Sequence, residues 1–200
     1  MAKINMRGLN AEIAQKGYKI FKPLVEQRIK NAFDKGRQKL LDDFENSDIT
    51  KEIDAGPNAS NSSNTLGGYG NLFTFIGFES GSDPISPLRS LLAKSIQIKT
   101  IRKKRDVLAF TLNFSVPTIE EIKAVAPMPW STDNWVEAVE KGLSGLGQYM
   151  YTKNSKRGRS GRAIQIDAEL TGNQNSNPTE YMTKILSDML RNIESSLKRL

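Results

Sequence analysis

The sequence predicts an α+β fold: a small antiparallel sheet, with a long N-terminal amphipathic helix and a C-terminal helix packed on it. Three patterns carry this expectation. Between Leu24 and Phe44, the residues Val25, Ile29, Ala32, Phe33, Gly36, Leu40 and Phe44 recur at helical spacing. Leu108, Phe110, Leu112, Phe114 and Val116 alternate without a break, as in a strand with one buried face. Near the C-terminus, Met182, Ile185, Met189 and Ile193 form a second helical stripe, widened by Leu186 and Leu197. With 200 residues the chain fits one domain, 1–200, long enough to bury a core.

In chain order, Ile4–Phe21 reads as a short strand or a shorter helix, weakened by Gly8 and Gly17. Pro23 then suits the first turn of the long helix, where a missing N–H costs little. Asp48–Ile53 adds another helical turn. Ala55–Gly70 is rich in Gly, Asn and Ser and reads as a long flexible loop. Its Gly67-Gly68-Tyr69-Gly70 element lacks the Gly-Lys-Ser/Thr ending of a phosphate loop. Asn71–Phe78 is a strand or a packed apolar segment, and Gly81–Pro84 turns the chain. Ile85–Ser95 reads as a short helix with Leu88, Leu91 and Leu92 on one face.

Ile96 and Ile98 begin a strand that precedes the alternating one, with Lys103-Lys104-Arg105-Asp106 as the hairpin tip. Pro117–Ile122 opens a short helix whose first turn is acidic, the favourable end for negative charge. Pro127-Met128-Pro129-Trp130 breaks it. Ser131-Thr132-Asp133 offers an N-cap for Trp135–Lys141, a helix or a strand, which Gly142 can end. A Tyr-rich edge at Gly145–Tyr151 runs into the basic loop 152–162, and Ala163–Ile166 returns from it as a strand. That loop carries five positive charges, two glycines and no apolar residue. It cannot build a core, so it is expected to project. Asn177, Pro178 and Glu180 have the spacing of a cap, first helical position and capping-box acid for the last helix.

The chain has no cysteine and no histidine. Disulfides, thiol catalysis, histidine–metal sites and Ser–His or Cys–His pairs are therefore excluded. No apolar run approaches the ~20 residues that span a membrane, so no membrane contact is expected. Nor does a hydrophobic signal segment follow the basic residues of the N-terminus. Synthesis in the cytosol is the expectation.

The formal charge is +7, from 29 basic and 22 acidic residues, which favours polyanionic partners. The charge gathers at Lys99, Arg102, Lys103, Lys104 and Arg105, and again at Lys153, Lys156, Arg157, Arg159 and Arg162. Each cluster is a solvated turn, a phosphate contact or a contact with an acidic neighbour. No aromatic residue stands between the basic residues of the second cluster, which argues against base stacking. The acidic pairs Asp42/Asp43, Glu120/Glu121 and Glu137/Glu140 read as solvated or intersubunit faces. A two-carboxylate hydrolase needs its acids facing each other across a cleft. Trp130 and Trp135 either anchor loops or, with Met128, form a subunit contact.

Taken in order, these elements resemble the small neck, or tail-completion, proteins of the head–tail connector of tailed bacteriophages. The likeness rests on the N-terminal helix Val25–Phe44 and the run Leu66–Phe78 (Leu-Gly-Gly-Tyr-Gly-Asn-Leu-Phe-Thr-Phe-Ile-Gly-Phe). It continues through the strands of Ile96–Val116, Trp135-Val136-Glu137-Ala138-Val139-Glu140-Lys141-Gly142, and Pro178-Thr179-Glu180-Tyr181 opening the last helix. The run Arg159–Gln165 is also similar to phage neck proteins. The central loop and the basic insertion are longer than the pattern.

The resemblance implies a non-enzymatic virion protein without cofactor, made in the host cytoplasm and built into the neck. Its copies would close head-to-tail into a ring around the DNA channel, six by preference or twelve. One face would meet head-completion proteins and the other the tail terminator or tube. A place as the tail terminator itself is a variant of this reading. The two basic clusters then become candidate DNA-channel or intersubunit contacts. Trp130, Trp135, Glu137, Glu140, Tyr149 and Tyr151 become a candidate subunit interface. The competing readings are a nonspecific nucleic-acid-binding protein and a carboxylate enzyme using Glu120, Glu121, Glu137 and Glu140.

Overall fold

The computed structural model describes residues 6–67, 70–103, 110–143, 148–151, 158–166 and 176–198; for 6–14, 95, 100–103, 110, 148–151 and 164–166 it describes the backbone alone. The architecture is α+β, as the sequence predicts. Helix α1 (Met6–Asn46) is followed by α2 (Asp48–Asp54), a short 3-10 turn at Gly56–Asn58, α3 (Leu72–Ile76) and α4 (Ser86–Ser95). Strands β1 (Gln97–Lys103) and β2 (Phe110–Ser115) come next, then α5 (Ile119–Val125), α6 (Trp135–Lys141), β3 (Gln148–Tyr151), β4 (Ala163–Ile166) and α7 (Met182–Lys198).

The helical stripe of α1 is the spine of the core. Ile29, Ala32, Phe33, Leu40 and Phe44 are buried, and Val25 packs against them. The partner along this face is α7, whose Met182, Ile185, Met189 and Ile193 are also buried. The two helices approach closely at Gly36. A Cβ there would lie 2.5 Å from Ile193 Cγ1, so glycine is what lets the backbones approach.

Helix α1 does not start at Pro23. It is continuous from Met6, with Pro23 inside it, so the strand or separate short helix considered for Ile4–Phe21 is not formed over the described residues. Pro23 is exposed, and its ring and missing N–H fall in a stretch of helix, 19–24, whose side chains are exposed.

The segment Asn71–Phe78 resolves to a helix rather than a strand. Asn71 caps α3 through its side chain, which accepts from the Thr74 N–H, and Gly77 ends it in the left-handed conformation. All five residues of α3 are buried, which removes the alternation a half-exposed strand would show. The preceding loop is stitched to the body. The buried Glu52 carboxylate accepts from the backbone N–H of Leu72 at 2.6 Å and of Ser63 at 2.9 Å. The Asn71 amide donates to the carbonyls of Pro57 and Ala59.

The strands form two separate two-stranded antiparallel ladders. In the first, Gln97 pairs with Ser115 and Lys103 with Phe110, with an irregularity between Ile98 and Thr100. Phe114 meets Phe33 of α1 edge-on, at 5.0 Å between ring centroids. In the second, Gln148 pairs with Ile166 and Tyr151 with Ala163. Arg89 of α4 joins three elements through Glu45 of α1 and Asp54 of α2.

The segment Trp135–Lys141 is a helix capped by Asn134, not by Ser131–Asp133. Gly142 follows it at φ 84°, and a Cβ there would lie 2.8 Å from the Ser176 carbonyl. Helix α7 starts later than the Asn177–Pro178 signature implies. Asn177–Tyr181 is non-helical and lies along α6, with the Thr179 N–H donating to the Val139 carbonyl. The cap comes from elsewhere in the chain. Glu140 Oε1 accepts from the N–H groups of Tyr181 and Thr183, and Glu140 Oε2 from the Thr183 hydroxyl. A carboxylate at a helix N-terminus meets both the open N–H groups and the positive end of the dipole.

Candidate functional site

Helix α1 is 41 residues long, about 60 Å at the usual rise per residue. Its downstream half is covered by the body. On its upstream half, Ile20 is 72% exposed, Leu24 64% and Phe21 44%. Ile20 and Leu24 lie on nearly the opposite side of the helix from the core stripe and Phe21 about a quarter turn from it, given 100° per residue. Lys16 and Lys19 are exposed nearby, and Lys22, also exposed, pairs with Glu26. An arm with an exposed apolar row, basic residues nearby and no cover among the described residues is a contact surface in waiting. The sequence reading missed it, because it placed a break at Pro23. The signal was present as a row of apolar residues at helical spacing upstream of the proline.

Of the first basic cluster, Lys99 is exposed on β1, and Arg102 and Lys103 continue the same strand toward the hairpin tip. Lys104 and Arg105 lie outside the described residues. Of the second cluster, Lys153, Lys156 and Arg157 lie outside them too. The remaining end of that loop does not project. Gly158–Gly161 closes a turn, the Ser80 N–H donates to the Arg159 carbonyl, and Ser160 is buried. Arg159 is exposed and Arg162 half-buried. The charge of this turn therefore sits on the body, beside the Glu79–Ser82 turn.

The residues read as a subunit interface separate into different environments. Trp135 is fully buried in an aromatic cluster, 6.2 Å from Phe78 and 6.1 Å from Tyr181 between centroids. It is a core residue and is not on the surface of the subunit, because a side chain of its size gains most by complete burial. Tyr181 completes the cluster with a 2.7 Å hydrogen bond to Thr50, and burial pushes its phenol well above the usual range. Trp130 is 41% exposed; its indole N–H donates to the Ile76 carbonyl. Tyr149 and Tyr151 belong to β3, described by backbone only.

Glu121, Glu137 and Glu140 are engaged within the chain. Glu137 pairs with Lys123 at 2.8 Å and with Lys141, and hydrogen bonds from these lysines pull its carboxyl down to about 2. Glu140 caps α7, as above. Glu121 closes a capping box with Thr118 on α5. Glu120, Glu121, Glu137 and Glu140 thus do not converge across a cleft. Among the described residues, no group of three or more acids is placed to hold a metal ion, and no helix is long and apolar enough to cross a membrane.

One apolar groove stands out chemically. It has a volume of about 320 Å³ and is lined by Pro84, Pro127, Met128 and Trp135 among others, with Glu79 and Asp83 at its lip. The Ser86 side chain and backbone, hydrogen-bonded to Asp83, lower that carboxyl below its usual value and keep it charged. The Trp135 indole N–H is buried without an acceptor. Comparison with protein-family models, with curated proteins and with solved structures finds no match.

Proposed function

We propose that this chain is a non-enzymatic structural subunit of a ring in the head–tail connector of a tailed bacteriophage. In this reading it joins head-completion proteins to the tail and surrounds the DNA channel. The observation that carries it is the upstream half of α1. A helix that leaves Ile20, Phe21 and Leu24 in water gains stability only when another surface covers them. The rest of the chain is a well-filled body whose acids serve caps and ion pairs, as expected of a part whose work is contact. The order of elements, helix, hairpin, Trp135–Gly142 segment and C-terminal helix, is the order on which the resemblance to neck proteins rests.

A head-to-tail contact repeated by rotation closes a ring, whereas a self-complementary one stops at a dimer. Six copies match the symmetry of a tail. The exposed Lys99 and the basic strand leading to the hairpin tip suit a lumen through which DNA passes, provided each phosphate contact is weak. Native mass spectrometry and negative-stain imaging of the purified chain test this reading. A closed ring of six copies, or twelve, is expected; a monomer at every concentration, or an open filament, would overturn it.

A second reading, nonspecific nucleic-acid binding, draws on the same basic strand. It requires duplex affinity that falls steeply with salt. Binding that is absent at low salt removes it and leaves the ring reading intact.

A further inference from the structure

The arm and the groove described above are complementary in two respects. The arm presents exposed apolar side chains at Ile20, Phe21 and Leu24, and the groove presents an apolar lining. The arm is basic at the exposed Lys16 and Lys19, with Lys22 paired to Glu26, whereas the lip of the groove is acidic at Glu79 and Asp83.

Two other grooves on the same molecule fit less well. The larger groove beside Leu24, about 420 Å³, is lined by Arg28 and Lys35 and would repel a basic arm. The smaller one between α5, α6 and α7, about 200 Å³, carries Lys123 and Lys141 with acids already engaged. Pairing of two arms would set lysines against lysines. Arg159, at the Ser80 turn, offsets part of the acidity of the lip, so apolar contact supplies most of the attraction and charge supplies the choice of site.

We propose that the upstream half of α1 docks into the Pro84–Met128–Trp135 groove of the next copy of this chain, with Ile20, Phe21 and Leu24 as its anchors. The inference rests on the ring reading and names the contact that would build it. It is a helix-in-groove contact with different surfaces on its two sides, and so it propagates from copy to copy.

A photo-crosslinking amino acid at position 21 of the full-length chain tests the contact. Heavy- and light-isotope chains are mixed, irradiated and mapped by mass spectrometry. Cross-links between heavy and light chains that fall in 79–87 or 125–130 are expected. Cross-links to another copy's α1, or to any other surface, would overturn the proposal. Assembly is followed in parallel by light scattering. The double variant Ile20→Asp, Leu24→Asp is expected to raise the dissociation concentration by about tenfold or more, with an unchanged circular-dichroism spectrum because both sites are exposed. Glu79→Lys should weaken assembly, and adding Lys19→Glu should restore it. Rings that persist in the Ile20→Asp, Leu24→Asp variant would sink the arm contact while leaving the ring reading standing. A native chain that stays monomeric sinks both.

Discussion

From Val25 to Phe44, α1 turns Ile29, Phe33, Leu40 and Phe44 into the core; from Lys16 to Leu24, the same helix turns Ile20, Phe21 and Leu24 toward water. Both stretches are helical, and both carry apolar residues at helical spacing. They differ in which side of the helix the row occupies, and the change of side falls just after Pro23, between Leu24 and Val25. Helicity therefore says little about what a helix is for. The register of its apolar row decides whether it serves its own body or another surface.

That comparison can be broken or sharpened by substitution. Leu40→Ala, at a fully buried position, should cost the isolated subunit about 2–5 kcal/mol by chemical denaturation. Gly36→Leu should cost about 1–3 kcal/mol by forcing α1 and α7 apart, with a lower thermal midpoint as the readout. Glu140→Ala should cost about 1–2 kcal/mol, because the packed half of α1 depends on an α7 whose first turn is held by that carboxylate.

Glu137→Gln tests a pH effect. The folded carboxyl lies below its unfolded value, so its contribution is present above the ordinary glutamate range and is lost as pH falls toward 2. The native chain should lose thermal stability across that window, and the variant should lose less of it; added salt should shrink the difference because the pair is exposed. Ile20→Ser should change monomer stability least, by within about 0.5 kcal/mol. A large loss there would mean that the arm is covered within its own chain.

The buried rows of α1 and α7 were legible because a 3.6-residue period survives any choice of neighbour. Helix α4 and the end of α6 at Gly142 were legible for the same local reasons. The run Asn71–Phe78 was not, since a short segment buried on every side shows no period, and only the flanking Asn71 and Gly77 mark it as a helix. Helix α7 began late because its cap arrives from Glu140, 41 residues upstream of Tyr181, and sequence signals for caps are local. Trp135 was left between a loop anchor and a subunit contact for want of its neighbours Phe78 and Tyr181, both distant in sequence. The arm was hidden by a rule about proline that holds for packed helices and relaxes on exposed ones.

The packing of α1 on α7 joins the two ends of this sequence. Roughly 140 residues separate them, which a ribosome adds in about 7–30 s at ordinary elongation rates. Through that interval both rows of α1 are uncovered, the one meant for α7 as well as the one facing outward. A nascent chain of this protein is therefore stickier than the finished one for the whole of its synthesis. Its yield in a cell should respond to chaperone supply and to translation speed more strongly than its final stability would suggest.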